Sequence, residues 1–260
     1  MSSRSTVGRP LLVGVAVVAA ALVWSVGGPG LPGPHVVPVD GSAGVGMTEA
    51  PLELGLDDDL LAEVRESTAH VHGLGCIAAQ VGTGFVAGPD LVVTAAHVVA
   101  GLDAPIVDIG GVSTPSIVVA FDPRSDLAVL STAVGLPPAL PLADASAGQT
   151  VALVAYDDEG NPATSAVRIG RLIFAVGDDI YGDPADGRAA LELTAEVVYG
   201  NSGGPLVDGS GAVVGVLFSR VRGGRAVAYA VQSAEVLELL AGLDAGGTLE
   251  EVGSGPCRPR

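Results

Sequence analysis

Residues 197–211 read "VVYGNSGGPLVDGSG" and set Ser202 between glycines, followed by a proline and an apolar run. A serine in that setting is either part of a strand-to-strand turn or a nucleophile that the turn presents. Glycines here have a chemical use, because two backbone N–H groups aimed at one point require a tight turn with unusual dihedrals. The N–H groups of Gly200 and Ser202 are the expected pair.

Working outward, two more segments supply what a serine nucleophile needs. A hydroxyl is weak at neutral pH and requires an imidazole to take its proton, with a buried carboxylate to fix the imidazole's tautomer. "TAAHVV" carries His97 and "SDLAVL" carries Asp126, so the chain order is His, Asp, Ser with gaps of 29 and 76 residues. Asp103, Asp108 and Asp122 compete with Asp126 as solvated loop acids, and Asp122 is the fallback. Asp126 is preferred because a strand starting at "LAVL" would carry it under the histidine.

"GTGFVAGPDLVVTAAHVV", "FDPRSDLAVL" and "GNSGGPLVDGSGAVVGV" together resemble the trypsin-like, chymotrypsin-fold serine proteases of bacteria. The likeness covers about residues 67–240, and the spacing is closer to the compact HtrA-like members than to the digestive enzymes. It implies an all-β fold of two six-stranded barrels, about 69–135 and 147–231, with the active site between them. The Pro-rich "VGLPPALPLADASAG" at 134–148 would join them. By position the resemblance places the substrate pocket at Glu196, Tyr199, Phe218, Ser219 and Arg220. Glu196 there would favour a basic residue before the scissile bond, unless it is a solvated loop acid.

Relatives activated by cleavage carry an acid before the serine, but Asn201 has no charge to pair with a new N-terminus. No zymogen cut is therefore expected. The chain also resembles actinobacterial membrane-tethered periplasmic proteases of the mycobacterial acid-resistance type. That likeness implies a Cys76–Cys257 disulfide, where composition alone leaves two free thiols open. No PDZ module is expected after the protease domain, at about 54–260.

Composition agrees with many short strands: 48% of residues are apolar but only 3% aromatic, and there are 38 glycines and 18 prolines. Every one of the 12 basic residues is an arginine, and the formal net charge is −17. Nothing resembles a basic stripe, so nucleic acid is not an expected partner.

Residues 1–10 carry Arg4 and Arg9, and "LLVGVAVVAAALVWSV" comes next at 11–26 without a charge. Residues 11–28 read as an uncleaved transmembrane anchor with the arginines in the cytoplasm, or as a cleaved signal that would leave the protein secreted. Both readings export the remainder of the chain. Residues 29–53 are rich in Gly and Pro and read as a linker. A short helix is expected over 54–68, and "SAEVLELLAGL" at 233–243 reads as a closing helix with Ser233 as N-cap.

His70 and His72 alternate on a strand and raise the question of a metal. No third ligand accompanies them at metal spacing in the sequence, so a surface-facing strand, no metal and no cofactor are expected. The expected activity is peptide-bond hydrolysis of protein or peptide substrates. The competing class is a catalytically silent protease-fold module that binds or senses at the membrane.

Overall fold

A computed structural model of the chain describes residues 35–38, 53, 55–133, 135–220, 226–244 and 249–258. The expected anchor or signal at 11–28 and most of the linker lie outside these residues. No helix among the described residues is long and apolar enough to cross a membrane.

The first barrel is built from β2 (Thr68–Leu74), β3 (Ala79–Gly88), β4 (Leu91–Ala95), β5 (Ile106–Ile109), β6 (Val112–Asp122) and β7 (Leu127–Thr132). These strands close in the order β2-β3-β4-β7-β6-β5, all pairs antiparallel. The second sheet contains β8 (Thr150–Tyr156), β9 (Pro162–Asp178), β10 (Pro184–Thr194), β11 (Pro205–Val207), β12 (Val213–Arg220) and β13 (Val227–Gln232). Its order is β9-β10-β13-β12-β11-β8, and β8 also pairs with β9, which brings the two ends of the sheet together. The first sheet runs from residue 68 to 132 and the second from 150 to 232.

Within the stretch expected as linker, His35–Pro38 forms strand β1 and pairs antiparallel with β9. A long β9 explains this, because its outer part extends past β8 and offers a free edge. The helix expected over 54–68 is shorter, α1 at Asp58–Glu66, with the Asp57 carboxylate accepting from the Leu60 N–H at 2.8 Å. Leu61 and Val64 are its buried residues.

Low aromatic content decides how the core is filled. Phe85 is the one aromatic among the largest fully buried side chains, and valine, leucine and isoleucine make up the rest. One apolar cluster draws on both sheets, joining Phe85, Val93, Leu127 and Val129 to Val154, Val207, Val216 and Val231. This shared core fixes the sheets against each other and leaves little freedom between the loops that carry the site. Helix α3 (Ser233–Asp244) closes the fold, and Ser233 Oγ donates to the Val213 carbonyl at 2.6 Å.

Cys76 and Cys257 form a disulfide with Cα atoms 6.2 Å apart, across 181 residues of sequence. Around it the C-terminal tail is tied down by several contacts. Val252 N–H donates to the Val118 carbonyl, Ser254 Oγ to Leu102 at 2.7 Å, and Tyr181 Oη to Pro256 at 3.2 Å.

Candidate active site

The run "LVVTAAHVV" splits into two elements. Strand β4 ends at Ala95, and Ala96–Val99 forms a single helical turn, α2, that carries His97. The turn is fixed from outside by Asp126, whose carbonyl accepts from Ala96 N–H at 3.1 Å and whose Oδ1 accepts from His97 N–H at 2.9 Å. Asp126 Oδ2 lies 2.8 Å from His97 Nδ1. An ionised carboxylate only accepts, so Nδ1 donates and Nε2 keeps its lone pair.

Asp126 is 4% exposed and has φ +59°, a left-handed conformation that non-glycine residues seldom adopt. Such a conformation costs about 1–2 kcal/mol and persists only where neighbours over-determine it. The three bonds to α2 do so. Asp122 stands apart from this: its carboxylate accepts from Arg124 N–H and from Ser125 Oγ at 2.9 Å, and so shapes the turn before Asp126. Burial opposes its ionisation, but the Arg124 amide, the Ser125 hydroxyl and the Arg124 guanidinium outweigh it and hold the carboxyl below its ordinary value.

The Ser202 turn is held by contacts between the sheets. Its carbonyl accepts from Thr83 N–H on β3 at 2.7 Å, and Thr83 Oγ1 donates to the Gly200 carbonyl at 2.8 Å. Thr83 Oγ1 also accepts from Tyr156 N–H at 2.9 Å, so one threonine ties the serine turn to the end of β8. At Gly203, φ is +84°, and a Cβ would lie 2.9 Å from Ala95 N, which puts the serine turn against the chain just before His97.

Gly200 has φ +94°, and a Cβ there would run into the backbone of Asp157 and Asp158. Asn201 is buried and locks the same turn. Its Oδ1 accepts from Val198 N–H at 3.0 Å and its Nδ2 donates to the Tyr156 carbonyl at 2.8 Å. Among the described residues, neither the Gly200 nor the Ser202 amide has a protein acceptor.

The residues expected to form one pocket are divided. Phe218 and Ser219 line a cavity of about 200 Å³ together with His97, Asp126, Ile180 and Arg188. Tyr199 instead lines a separate cavity of about 230 Å³ beside the Cys76–Cys257 disulfide. Glu196 is exposed on the loop before the serine and lines neither of these cavities. Arg220 ends β12, and its side chain lies outside the described residues.

Sequence reading missed Arg188, which no motif marks. It projects from β10 into the cavity, its guanidinium carbon 4.3 Å from the Phe218 ring centre, and it donates to the Arg124 carbonyl. Burial pulls it below the ordinary arginine value, and the charges of Asp126, Asp122, Glu235 and Asp179 counter that pull.

The histidine pair also differs from expectation. β2 pairs with β5 so that His70 faces Asp108, and the Asp108 carboxylate lies 2.9 Å from His72 Nε2 and 3.5 Å from His70 Nδ1. A third potential ligand therefore exists, supplied by strand pairing rather than by sequence spacing.

Residues 82–216 match the family model of the trypsin-like peptidase domain. The chain is 35% identical over 207 residues to serine protease Rv3671c of Mycobacterium tuberculosis (strain H37Rv), which covers 78% of this chain and 51% of that protein. It is 31% identical over 192 residues to a probable periplasmic serine endoprotease DegP-like of Brucella suis, covering 65% of this chain and 34% of that one. The chain thus spans about half the length of its mycobacterial relative. The active form of the Rv3671c protease superposes with a TM-score of 0.75 at 34% identity, over 81% of this chain and 94% of that one. An inactive form of the same protease gives 0.65 at 33% identity, over 75% and 98%. With the family's motifs carried on its two sheets, the chain belongs to the trypsin-like peptidases.

Proposed function

We propose that the protein is an extracytoplasmic serine endopeptidase acting on protein or peptide substrates, with Ser202 as nucleophile, His97 as general base and then acid, and Asp126 as orienter. The observation that carries this reading is the double hold of Asp126 on His97, at the amide and at Nδ1. It leaves Nε2 as the one ring atom able to take a proton.

In the reaction, Ser202 Oγ attacks the scissile carbonyl carbon while its proton passes to His97 Nε2. Asp126 stabilises the resulting imidazolium without becoming protonated. The tetrahedral oxyanion is held by the Gly200 and Ser202 amides, which have no protein acceptor among the described residues. His97 then returns the proton to the leaving amine as the C–N bond breaks, leaving an acyl ester on Ser202. Water, deprotonated by His97, resolves the ester.

Asn201 supports a site that forms without a cleavage-generated N-terminus, since both ends of its amide are satisfied inside the fold. The cavity next to His97 is lined by Asp178, Asp179, Arg188 and Arg258 as well as Phe218, which suits polar substrate side chains. The disulfide and the charge-free run at 11–26 behind Arg4 and Arg9 support a location outside the cytoplasm, with the run as anchor or signal.

The test is hydrolysis of a denatured protein substrate by the wild-type chain and by Ser202→Ala, His97→Ala and Asp126→Asn. Activity lost in all three with melting temperatures retained is the expected result. Unchanged turnover in Ser202→Ala would refute the assignment.

A further inference from the structure

We propose that His70, His72 and Asp108 form a binding site for one divalent transition-metal ion of the zinc type, on the first barrel and separate from the His97–Asp126 pair. The two imidazoles stand on one face of β2, two residues apart, and Asp108 meets them from β5 because His70 and Asp108 are register partners. Their donor atoms all lie within 4.8 Å of one another. Zinc bonds of about 2.0–2.2 Å to nitrogen and oxygen in tetrahedral geometry place ligand atoms about 3.3 Å apart. The observed 2.9 Å and 3.5 Å from Asp108 Oδ2 to the two nitrogens bracket that spacing.

Three further observations favour an ion over a plain hydrogen-bonded cluster. Asp108 Oδ1 is buried and makes no hydrogen bond of good geometry among the described residues, the nearby Ser113 hydroxyl only favouring the carboxylate's charge, so that oxygen can serve in bidentate ligation. The imidazoles stack with centroids 5.0 Å apart, which presents both donor nitrogens to one carboxylate oxygen. The side chain of His70 is 14% exposed, while those of His72 and Asp108 are 31% and 33% exposed, leaving room for a water as fourth ligand. Ligation through His70 Nδ1 puts that ring's proton on Nε2, which is buried and has no hydrogen-bond partner among the described residues.

The site's position gives it a consequence. A Cβ on Gly160 would lie 3.4 Å from the His70 ring, so the turn Asp157–Gly160 rests on the imidazole. The other end of that turn packs against Gly200, and the Tyr156 carbonyl just before it accepts from Asn201. An ion that pins His70 therefore stiffens the surface supporting the serine turn.

The test is calorimetric titration of zinc chloride into the tag-free full chain after dialysis against chelator. One ion per chain is expected in the wild type. His97→Ala, which removes the other imidazole of the barrel, should bind equally well. His72→Ala and Asp108→Asn should each weaken binding by about 100-fold or more, since each removes a direct ligand. Melting temperatures in chelator check that the variants fold. Should either variant unfold, cobalt(II) added to the wild type decides the matter through its visible bands. Intense bands of a four- or five-coordinate ion support the site, and the pale spectrum of the aquo ion overturns it. Absence of zinc binding in the wild type, or binding that survives in folded His72→Ala, also overturns it.

Discussion

Asp126 is where residue-level physics is most concentrated, since it holds a left-handed backbone, a buried carboxylate and two bonds to His97 at once. Asp126→Asn keeps the shape but lets the amide fix the wrong tautomer, and kcat should fall about 10⁴-fold with KM little changed. Arg188 acts on the same pair through charge, because it shares the cavity of His97 and is attracted to Asp126. Of these residues, His97, Asp126 and Ser202 were legible because each sits in a motif at a revealing spacing. Arg188 was not, because its importance arises from a fold that brings β10 under the histidine.

At the scale of elements, the serine turn depends on strands of the other sheet. Gly200→Ala forces a Cβ into the Asp157–Asp158 backbone at a left-handed φ, so it should lower the melting temperature and, in the folded variant, misplace the proposed oxyanion donor and lower kcat by about 10²–10³-fold. The turn before Asp126 depends on Asp122, whose depressed pKa makes a contribution present in full above its ordinary value of 3.8 and lost as pH falls through the folded value. Arg124 and Arg188 favour its charge, while Asp186, Glu235 and Glu238 border the same pocket and oppose it. Asp122→Asn should accordingly be less stable than wild type at neutral pH, with the gap closing in thermal melts as pH falls below 3.8. Sequence reading preferred Asp126 to Asp122 by the strand that begins at Leu127, and Asp126 is the acid that bonds His97. It could not foresee that "TAAHVV" breaks into a helical turn, because the break is imposed by bonds from a loop 29 residues away. Nor could it see Asp108 beside the histidines, since strand pairing and not spacing joins them.

For the whole molecule, one shared core and one disulfide keep the two sheets and the tail together. The Cys76–Cys257 bridge closes a 181-residue separation, for which chain entropy gives a stabilisation of at most about 5 kcal/mol. Cys76→Ser should lower the denaturant midpoint, and an unchanged midpoint would show that the tail is held by its hydrogen bonds alone. The many short strands were legible from turn residues between apolar runs, and their division into two sheets came from the family resemblance, whereas β1 was hidden in a Gly- and Pro-rich stretch because its strand character comes from the edge of β9. The central claim is that Ser202 is a nucleophile activated by His97 and Asp126. Intact-mass analysis after incubation with a fluorophosphonate measures this directly. One adduct per chain, mapped to Ser202 and absent in both Ser202→Ala and His97→Ala, is the predicted result; no adduct on the folded wild type, or an adduct that persists in Ser202→Ala, would contradict it.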